Sequence, residues 1–318
     1  MIMLTYDKDC TDGFGSLLQR LISIYCICRK YNLKYVHTFF KEIRYQGLKA
    51  LEKNENDKEF VKRVNEKFYK KSDVDIANLR YKIIKKNISL NKILELDKID
   101  ENIIIILTSP YYITNFIPNI YSYGRDFYKP TLEKNKDFTI GIHVRRGELF
   151  CVDSDRMMPN EYYINTVQKI IKVMEKYNFN FKIELYTEVP DKEIEVTGDH
   201  PGIFNRIKDN IILRPEDNKI EEFDVLPKLK KYINEDVLIT FDRMINSDIL
   251  IMSRSSLSFS ATVLKKGISV YKKPHSNDNW HPVPINTLHP DSKSFEKDID
   301  KYILFYLLNK NHKYEISI

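Results

Sequence analysis

The sequence lacks the features expected of a secreted, membrane-spanning or metal-binding chain. Its four cysteines, Cys10, Cys26, Cys28 and Cys151, follow no metal-ligand spacing. No apolar run approaches the roughly 20 residues of a membrane-spanning helix, and the apolar start, residues 1–6, is too short for a signal peptide. We therefore expect reduced cysteines in the core, no membrane span and a cytoplasmic location.

The sequence also lacks a basic run interleaved with aromatic residues. Lys and Arg number 51 against 45 Asp and Glu, a net charge of +6 that would by itself suit a nucleic-acid partner. The lysines, however, are scattered among acids, as in residues 51–71, which indicates a solvated charged face. The pattern therefore argues against a protein that binds nucleic acid. We expect a basic ligand-binding cleft to account for part of the excess positive charge.

The chain does contain enough apolar residues for packed cores, at 42% hydrophobic and 12% aromatic. Its 318 residues suit two domains of roughly 100–200 residues each. Short apolar runs alternate with amphipathic helical patterns, without internal repeats or low-complexity tracts. This alternation predicts an α/β fold with parallel sheets covered by helices.

The predicted elements follow this alternation along the chain. Strands are predicted over residues 2–6, 33–37, 102–107, 138–144, 181–186, 237–240, 249–252 and 268–271. Helices are predicted over residues 16–31, 161–177, 241–247, 258–265 and 295–309, with mostly charged helix from 41 to 96. The irregular segment 110–137 predicts a boundary between domains 1–130 and 131–292, followed by a C-terminal helix and tail, 293–318.

The most informative segment is Ile-Gly-Ile-His-Val-Arg-Arg-Gly-Glu, residues 140–148. Its apolar start predicts a buried strand, which places Arg145 and Arg146 at the carboxyl end, the edge where open α/β sheets bind ligands. Arginine suits phosphate there because a guanidinium donates two parallel hydrogen bonds. The alternative is an ion pair between these arginines and the carboxylates that follow, Glu148, Asp153 and Asp155.

Two turns at predicted helix starts are further candidates for anion binding. After the apolar run 249–252, Ser255, Ser256 and Ser258 stand where a helix begins; hydroxyls, free N–H groups and the helix dipole together suit a phosphate. The alternative for each serine is a simple helix cap. Gly13 and Gly15 form a glycine turn after the first strand, a second candidate for anion binding. The alternative is that this turn is only a tight connection that binds no ligand.

Two of these segments resemble motifs of the fucosyltransferases. His143-Val144-Arg145-Arg146-Gly147 is similar to the H-x-R-R-G-D motif of the α-1,2-fucosyltransferases, of which the α-1,6- and protein O-fucosyltransferases carry looser versions. Glu148 stands where an aspartate is usual. Residues 247–260 resemble the later block D-x-x-[apolar]-S-x-S-S-F-S-[apolar] of the family, and the Gly13–Gly15 turn resembles its G-x-G-N-Q turn. The resemblance covers about residues 138–290.

The resemblance implies a GT-B fold, two facing Rossmann-like domains with parallel sheets. It implies an inverting, metal-independent transfer of fucose from GDP-fucose to a glycan hydroxyl, with α-1,2 linkage favoured. The N-terminal domain would then lie on the acceptor side and the C-terminal domain would bind the nucleotide sugar. The alternatives are the same fold with another nucleotide sugar, or a non-catalytic protein that binds nucleotides or glycans.

The resemblance also implies roles for single residues. Arg145 would bind the diphosphate and neutralise the charge that develops as GDP leaves, and Arg146 with Ser255, Ser256 and Ser258 would complete the phosphate site. His143 shares a strand face with Arg145 and either bonds the nucleotide or is a satisfied structural histidine. Asp248 either orients the guanine or braces an arginine.

The acceptor hydroxyl needs a general base near neutral pKa. The candidates are Glu148, Asp153 and Asp155, all in the loop after the arginine-bearing strand. In the α-1,6-fucosyltransferases the base follows the motif histidine by ten residues, which falls on Asp153 here. A transition state that resembles a fucosyl cation asks little of the nucleophile, so the reaction without a dedicated base is the alternative.

Overall fold

The α/β architecture is seen in a computed structural model of the chain. It describes residues 1–7, 12–43, 48, 58–68, 72–85, 88–96, 100–114, 117, 119–147, 149–152, 156–178, 180–196, 211–272 and 286–310. These residues form a four-stranded sheet, a six-stranded sheet and a two-stranded sheet. All strand pairs in the two larger sheets are parallel, so the predicted α/β class with parallel sheets is confirmed.

The four-stranded sheet occupies the N-terminal part of the chain in the order β2-β1-β4-β3. Its strands are β1 (Ile2–Tyr6), β2 (Lys34–Tyr35), β3 (Lys82–Lys85) and β4 (Ile103–Leu107). The central strands β1 and β4 are almost entirely buried, as continuous apolar runs in a parallel sheet require. Strand β3 lies within the segment predicted as charged helix. Two lysines flank its isoleucines, and Ile83 is exposed on this edge strand, so no apolar periodicity marked it.

The α-helices that the described ranges contain beside this sheet include α1 (Phe14–Tyr31), α2 (Lys58–Phe68), α3 (Leu90–Leu96) and α4 (Tyr111–Thr114). Helix α1 begins two residues before the predicted start because Gly13 is its extended N-cap residue. It ends at Asn32, whose left-handed conformation (φ 56°) lets its N–H bond the Cys28 carbonyl. Cys26 and Cys28 are buried free thiols in this helix, as expected, whereas Cys10 lies outside the described residues.

The six-stranded sheet has the order β12-β11-β10-β5-β6-β9. Its strands are β5 (Phe138–Val144), β6 (Phe181–Thr187), β9 (Leu229–Ile233), β10 (Ile249–Ile251), β11 (Ile268–Val270) and β12 (Thr287–Leu288). The two-stranded sheet pairs β7 (Ile194–Val196) with β8 (Ile211–Leu213) in antiparallel register. Strand β5 has all seven residues buried and lies between β10 and β6, so its carboxyl end is central in the sheet edge.

The α-helices described in this part of the chain are α5 (Leu149–Val152), α6 (Asn160–Met174), α7 (Val237–Asn246), α8 (Ser256–Leu264) and α9 (Phe295–Lys310). The predicted strand 237–240 is wrong, because these residues are the first turn of α7. The carboxylate of Asp236 caps this helix by accepting the N–H groups of Leu238 and Ile239, at 2.9 and 3.3 Å. The apolar run Val-Leu-Ile-Thr resembles a strand in sequence. The signal that indicates a helix start here is Asp236, a residue type that commonly caps helices.

One apolar cluster contains residues of both larger sheets, and the six-stranded sheet has a second cluster of its own. Phe14 of α1 lies edge-to-face against Phe241 of α7, with ring centroids 6.0 Å apart, and both belong to a cluster that also contains α8 residues. The division into domains 1–130 and 131–292 stays a prediction. No helix in the described part of the chain is long and apolar enough to cross a membrane.

Candidate anion-binding site

The candidate site lies at the carboxyl edge of the six-stranded sheet, where β5, β6 and β10 end side by side. Alternate residues of a strand point to opposite faces. On β5, Ile142 and Val144 pack in the apolar cluster that includes α6. His143 contacts the turn that leads to α8, and Arg145 follows it on the same face.

Arg145 projects beside the end of β6. The register pairs Val144 with Thr187, so Arg145 stands next to Glu188, and its Nη1 lies 3.5 Å from the Glu188 Oε2. Its side chain keeps 22% of its surface exposed. Burial lowers the pKa of Arg145, Glu188 raises it, and the positive charge of Arg156 lowers it further. The guanidinium stays protonated because its pKa starts far above neutrality.

Gly147 makes room for the Glu188 carboxylate. Its backbone is in the left-handed region, with φ +61°, and an added Cβ would lie 3.2 Å from Glu188 Oε2. Glycine is the residue that adopts this conformation without strain and without filling that space. The glycine of the H-x-R-R-G motif therefore has a steric reason in this chain.

Arg146 is not brought to the site, contrary to the sequence prediction. It points to the opposite face, is 6% exposed, and its Nη2 donates to Asn160 Oδ1 of α6 at 2.5 Å. The Asn160 amide donates in turn to the Lys219 carbonyl at 3.0 Å and to Glu222 at 2.8 Å. The strand pleat separates the two neighbouring arginines, and Arg146 stabilises the packing of α6.

The serine turn, residues 252–255, joins β10 to α8. Ser255 caps α8, since its Oγ accepts the Leu257 N–H at 3.3 Å. Ser258 is fully buried and donates to the carbonyls of Ser253 and Ser255, at 3.1 and 3.2 Å. Both hydroxyls therefore hold the shape of the turn, and Ser256 lies in the first turn of α8. The positive end of the helix dipole at this edge favours an anion.

His143 connects β5 to the serine turn. Its Nδ1 lies 3.0 Å from Ser253 Oγ, and both side chains are buried. Burial, with a smaller contribution from Arg145, lowers the pKa of His143 to about 3. The ring is thus neutral at physiological pH, and its observed contact is structural.

Arg156 is a residue that the sequence analysis missed. It precedes α6, and its Nη2 donates to the Arg254 carbonyl in the serine turn, at 3.3 Å. The same turn contains Ser253, which contacts His143 on the strand face of Arg145, so Arg156 and Arg145 approach one edge from different segments. No periodicity or motif marks Arg156 in the sequence, because only the fold brings its loop back to the serine turn.

Asp248 does not lie at this edge. It precedes β10 at the opposite, amino end of the sheet, where it is 1% exposed. Its carboxylate accepts the Thr139 N–H at 2.8 Å and contacts the Lys134 Nζ at 2.5 Å. The prediction that Asp248 orients a nucleotide base or braces an arginine is therefore wrong; it braces a lysine and the start of β5.

The glycine turn meets the serine turn. An added Cβ on Gly15 would lie 2.6 Å from the Leu257 backbone nitrogen, so the starts of α1 and α8 are in close contact. Gly13 donates its N–H to the Asp12 carboxylate at 2.7 Å, and Asp12 pairs with Arg20 at 2.8 Å. The structure thus brings together Gly13, Gly15 and the serine segment, which lie more than two hundred residues apart in sequence.

The candidate bases Glu148, Asp153 and Asp155 lie outside the described residues, so their roles stay predictions. Within the described ranges, no group of three or more His, Cys, Asp or Glu side chains is arranged to hold a metal ion. The described groups at this edge include Arg145, Arg156, Glu188 and the start of α8. This arrangement can bind an anion, with Glu188 as the carboxylate beside Arg145.

Comparisons with known proteins give distant similarities. No protein-family model and no curated protein sequence matches the chain. Among solved structures it is similar to POFUT1 in complex with GDP, at 9% identity over 84% of this chain and 97% of that chain, with a TM-score of 0.40. It is also similar to E. coli ADP-heptose LPS heptosyltransferase II, at 9% identity over 98% and 99%, with a TM-score of 0.41. Fucosyltransferase NodZ from Bradyrhizobium has 13% identity over 83% and 93%, with a TM-score of 0.37.

Proposed function

We propose that the chain is a GT-B glycosyltransferase that transfers fucose from GDP-fucose to a glycan hydroxyl with inversion, α-1,2 linkage being favoured. The observation that carries the proposal is the position of Arg145. Its partly exposed guanidinium stands at the carboxyl edge of a parallel sheet, on the face that carries the contact to the start of α8. A diphosphate suits that place because a guanidinium and a helix N-terminus both stabilise phosphate charge.

The choice of fucose depends on the resemblance of His143-Val144-Arg145-Arg146-Gly147 to the fucosyltransferase motif. The structure gives several of these positions a physical reason. Arg145 lies at the carboxyl edge of the sheet beside Glu188, Arg146 holds α6, and Gly147 leaves room for Glu188. The motif thus combines one candidate ligand-binding arginine with residues that hold its surroundings in place.

In the proposed reaction the acceptor hydroxyl attacks the anomeric carbon on the side opposite the diphosphate. The bond from that carbon to the diphosphate oxygen breaks, and GDP leaves with the bonding electron pair. Arg145 stabilises the negative charge that grows on this oxygen, so we propose that transfer requires no metal ion. The hydroxyl proton goes to a carboxylate, for which Asp153 and Glu148 are the candidates.

The test is nucleotide-dependent thermal stabilisation. Wild-type protein and Arg145→Ala are heated with GDP, UDP, ADP or CDP, each with and without Mg²⁺. A ligand that binds only the folded state at a hundredfold excess over its Kd stabilises it by about 2.7 kcal/mol. We expect stabilisation by GDP alone, unchanged by Mg²⁺ and lost in Arg145→Ala.

Arg80→Ala is the matched control, because Arg80 is exposed and precedes the edge strand β3, in the other sheet. It removes the same charge and should keep the response to GDP. Stabilisation by another nucleotide would indicate a different donor. Binding without hydrolysis or transfer of the sugar would indicate a non-catalytic nucleotide-binding protein, and no response to any nucleotide would refute the proposal.

A further inference from the structure

We propose that Arg156 is a second donor-binding residue, which contacts the diphosphate together with Arg145 and makes the site prefer nucleoside diphosphates to monophosphates. This inference rests on the proposed function and adds to it a residue and a selectivity. The motif resemblance points to Arg145 and Arg146, whereas the geometry points to Arg145 and Arg156.

The position of Arg156 is fixed by the serine turn. Its Nη2 donates to the Arg254 carbonyl at 3.3 Å, so the guanidinium lies against the loop that leads into α8. Arg156 therefore brings its positive charge to the edge where β5 and β10 end and α8 begins.

The two arginines approach the same turn. Arg156 donates to the Arg254 carbonyl, and Ser253 beside it lies 3.0 Å from His143, two residues before Arg145 on the same strand face. The charge of Arg156 lowers the pKa of Arg145, in addition to the effect of burial. Like charges placed together in a partly buried site destabilise the unliganded protein, and an anion between them reverses the sign of that effect. Glu188 lies at 3.5 Å from Arg145, on the side of β6, whereas Arg156 approaches from the side of β10.

Two guanidiniums on different segments fit a diphosphate better than a monophosphate. Each guanidinium presents a planar pair of N–H donors that matches the oxygens of one phosphate group. A diphosphate can place one phosphate against Arg145 and the other against Arg156. A monophosphate has only one such group, so it engages one arginine fully and gains little from the second.

The experiment measures the Kd of GDP and of GMP by calorimetry for wild type, Arg156→Gln and Arg156→Lys. We expect Arg156→Gln to weaken GDP binding by about tenfold or more, the range for a lost charged hydrogen bond, and to leave GMP binding nearly unchanged. Arg156→Lys keeps the charge but not the planar fork, so it should fall between wild type and Arg156→Gln for GDP. Arg80→Gln, a charge loss outside the site, should change neither Kd.

Each other outcome overturns the inference. An equal loss of GDP and GMP affinity in Arg156→Gln would mean that Arg156 only shapes the serine turn. An unchanged GDP affinity in both variants, or equal binding of GDP and GMP by wild type, would mean that it does not contact the second phosphate. Wild type that binds neither nucleotide would refute the proposed function itself, which separates that failure from the failure of Arg156. Circular dichroism of each variant confirms folding, and Arg156→Lys retains the test should Arg156→Gln fail to fold.

Discussion

Arg145 and Arg146 show how one strand residue and its neighbour acquire different physical roles. The pleat sends Arg145 to the face with Glu188 and Arg146 to the face with Asn160. Arg145 is partly exposed, and the side chain of its partner Glu188 is 30% exposed, so removal of Arg145 leaves a carboxylate that is in part solvated. Arg146 is buried, and its removal leaves the Asn160 oxygen without its donor, which carries a desolvation cost.

Arg145→Ala and Arg146→Ala should therefore fail in different ways. We expect Arg145→Ala to lose stabilisation by GDP while its free energy of unfolding stays near that of wild type. Arg146→Ala should lower the free energy of unfolding by roughly 2–4 kcal/mol, as expected when a buried charged hydrogen bond is broken. Urea unfolding with and without GDP measures both. Equal losses of stability in the two variants would contradict the assignment of opposite faces.

Two buried histidines predict sensitivity to acid. Burial lowers the pKa of His37 to about 4 and that of His143 to about 3, whereas an unfolded histidine titrates near about 6.5. Between these values the unfolded chain binds protons that the folded protein does not, so stability falls as the pH falls. The slope is roughly 1 kcal/mol per pH unit for each histidine, from about pH 6.5 down to the folded pKa.

Urea unfolding at pH 7, 6 and 5 measures this slope. His143→Gln and His37→Gln should each reduce the slope of unfolding free energy against pH by roughly 1 kcal/mol per pH unit. This holds whatever their effect on stability at pH 7. The double variant should be flatter than either single variant. A slope that the substitutions do not alter would assign the acid sensitivity to other groups.

At the scale of the elements, the contact between the starts of α1 and α8 joins the two sheets beside the candidate site. Gly15 packs so closely on Leu257 that a Cβ would stand 2.6 Å from a backbone nitrogen, which cannot move aside like a flexible side chain. Gly15 has an ordinary helical position within α1. Glycine is therefore needed at position 15 because there is no space for a Cβ atom. The starts of α1 and α8 can pack this closely only with a residue that has no side chain there.

Gly15→Ala should consequently destabilise the protein, although glycine to alanine within a helix normally stabilises it. Overpacking of this kind costs roughly 1–3 kcal/mol. Thermal unfolding measures the effect, and GDP stabilisation should weaken with it because α8 shifts at the serine turn. Ser16→Ala, one residue along, removes only a hydroxyl bonded to Asp12 and serves as the control. A more stable Gly15→Ala would show that the helices separate freely.

The elements differ in how far the sequence predicts them, for physical reasons. Strands β1, β4 and β5 and helix α6 were predicted because long apolar runs or a clear helical period mark buried elements. Strands β3 and β9 were missed because lysines occupy these edge strands, where one side meets solvent. Helix α7 was divided because its β-branched first turn resembles a strand.

The candidate site was predicted in part for a related reason. The sequence placed Arg145, His143, the serines and the glycine turn at element ends, and the topology then brought those ends together. Arg156 was missed because its loop gives no pattern. Arg146 and Asp248 were misplaced because strand pleat and strand direction decide between faces and edges, and both depend on the pairing of distant strands.

At the scale of the whole molecule, the segment between the two sheets is bound to α7. The Asp242 carboxylate of α7 accepts the hydroxyl of Tyr128, the Thr131 N–H and Oγ1 at 2.9 and 2.6 Å, and the Leu132 N–H at 3.2 Å. Lys67 of α2 lies 3.5 Å from the same carboxylate. One helix of the second half therefore holds the connecting segment and contacts the first half.

We expect the two sheets to unfold together because Phe241 packs on both sides of this connection. It lies 6.0 Å from the Phe14 ring and 5.6 Å from the Tyr128 ring, in a cluster that extends to β1. Phe241→Ala should cost about 3–5 kcal/mol, as for other buried phenylalanines. In native-state hydrogen exchange, the most protected amides of β1 and of β5 should lose the same free energy of opening, because both exchange through one global unfolding.

Val225→Ala is the control for this experiment, since Val225 is 66% exposed and its truncation removes no core contact. It should change neither set of amides by more than about 0.5 kcal/mol. A loss confined to β5 in Phe241→Ala, or two separate steps in urea unfolding, would show that the sheets open independently. Equal losses would mean that the candidate site, which lies where α1 meets α8, is held in place by the stability of both halves.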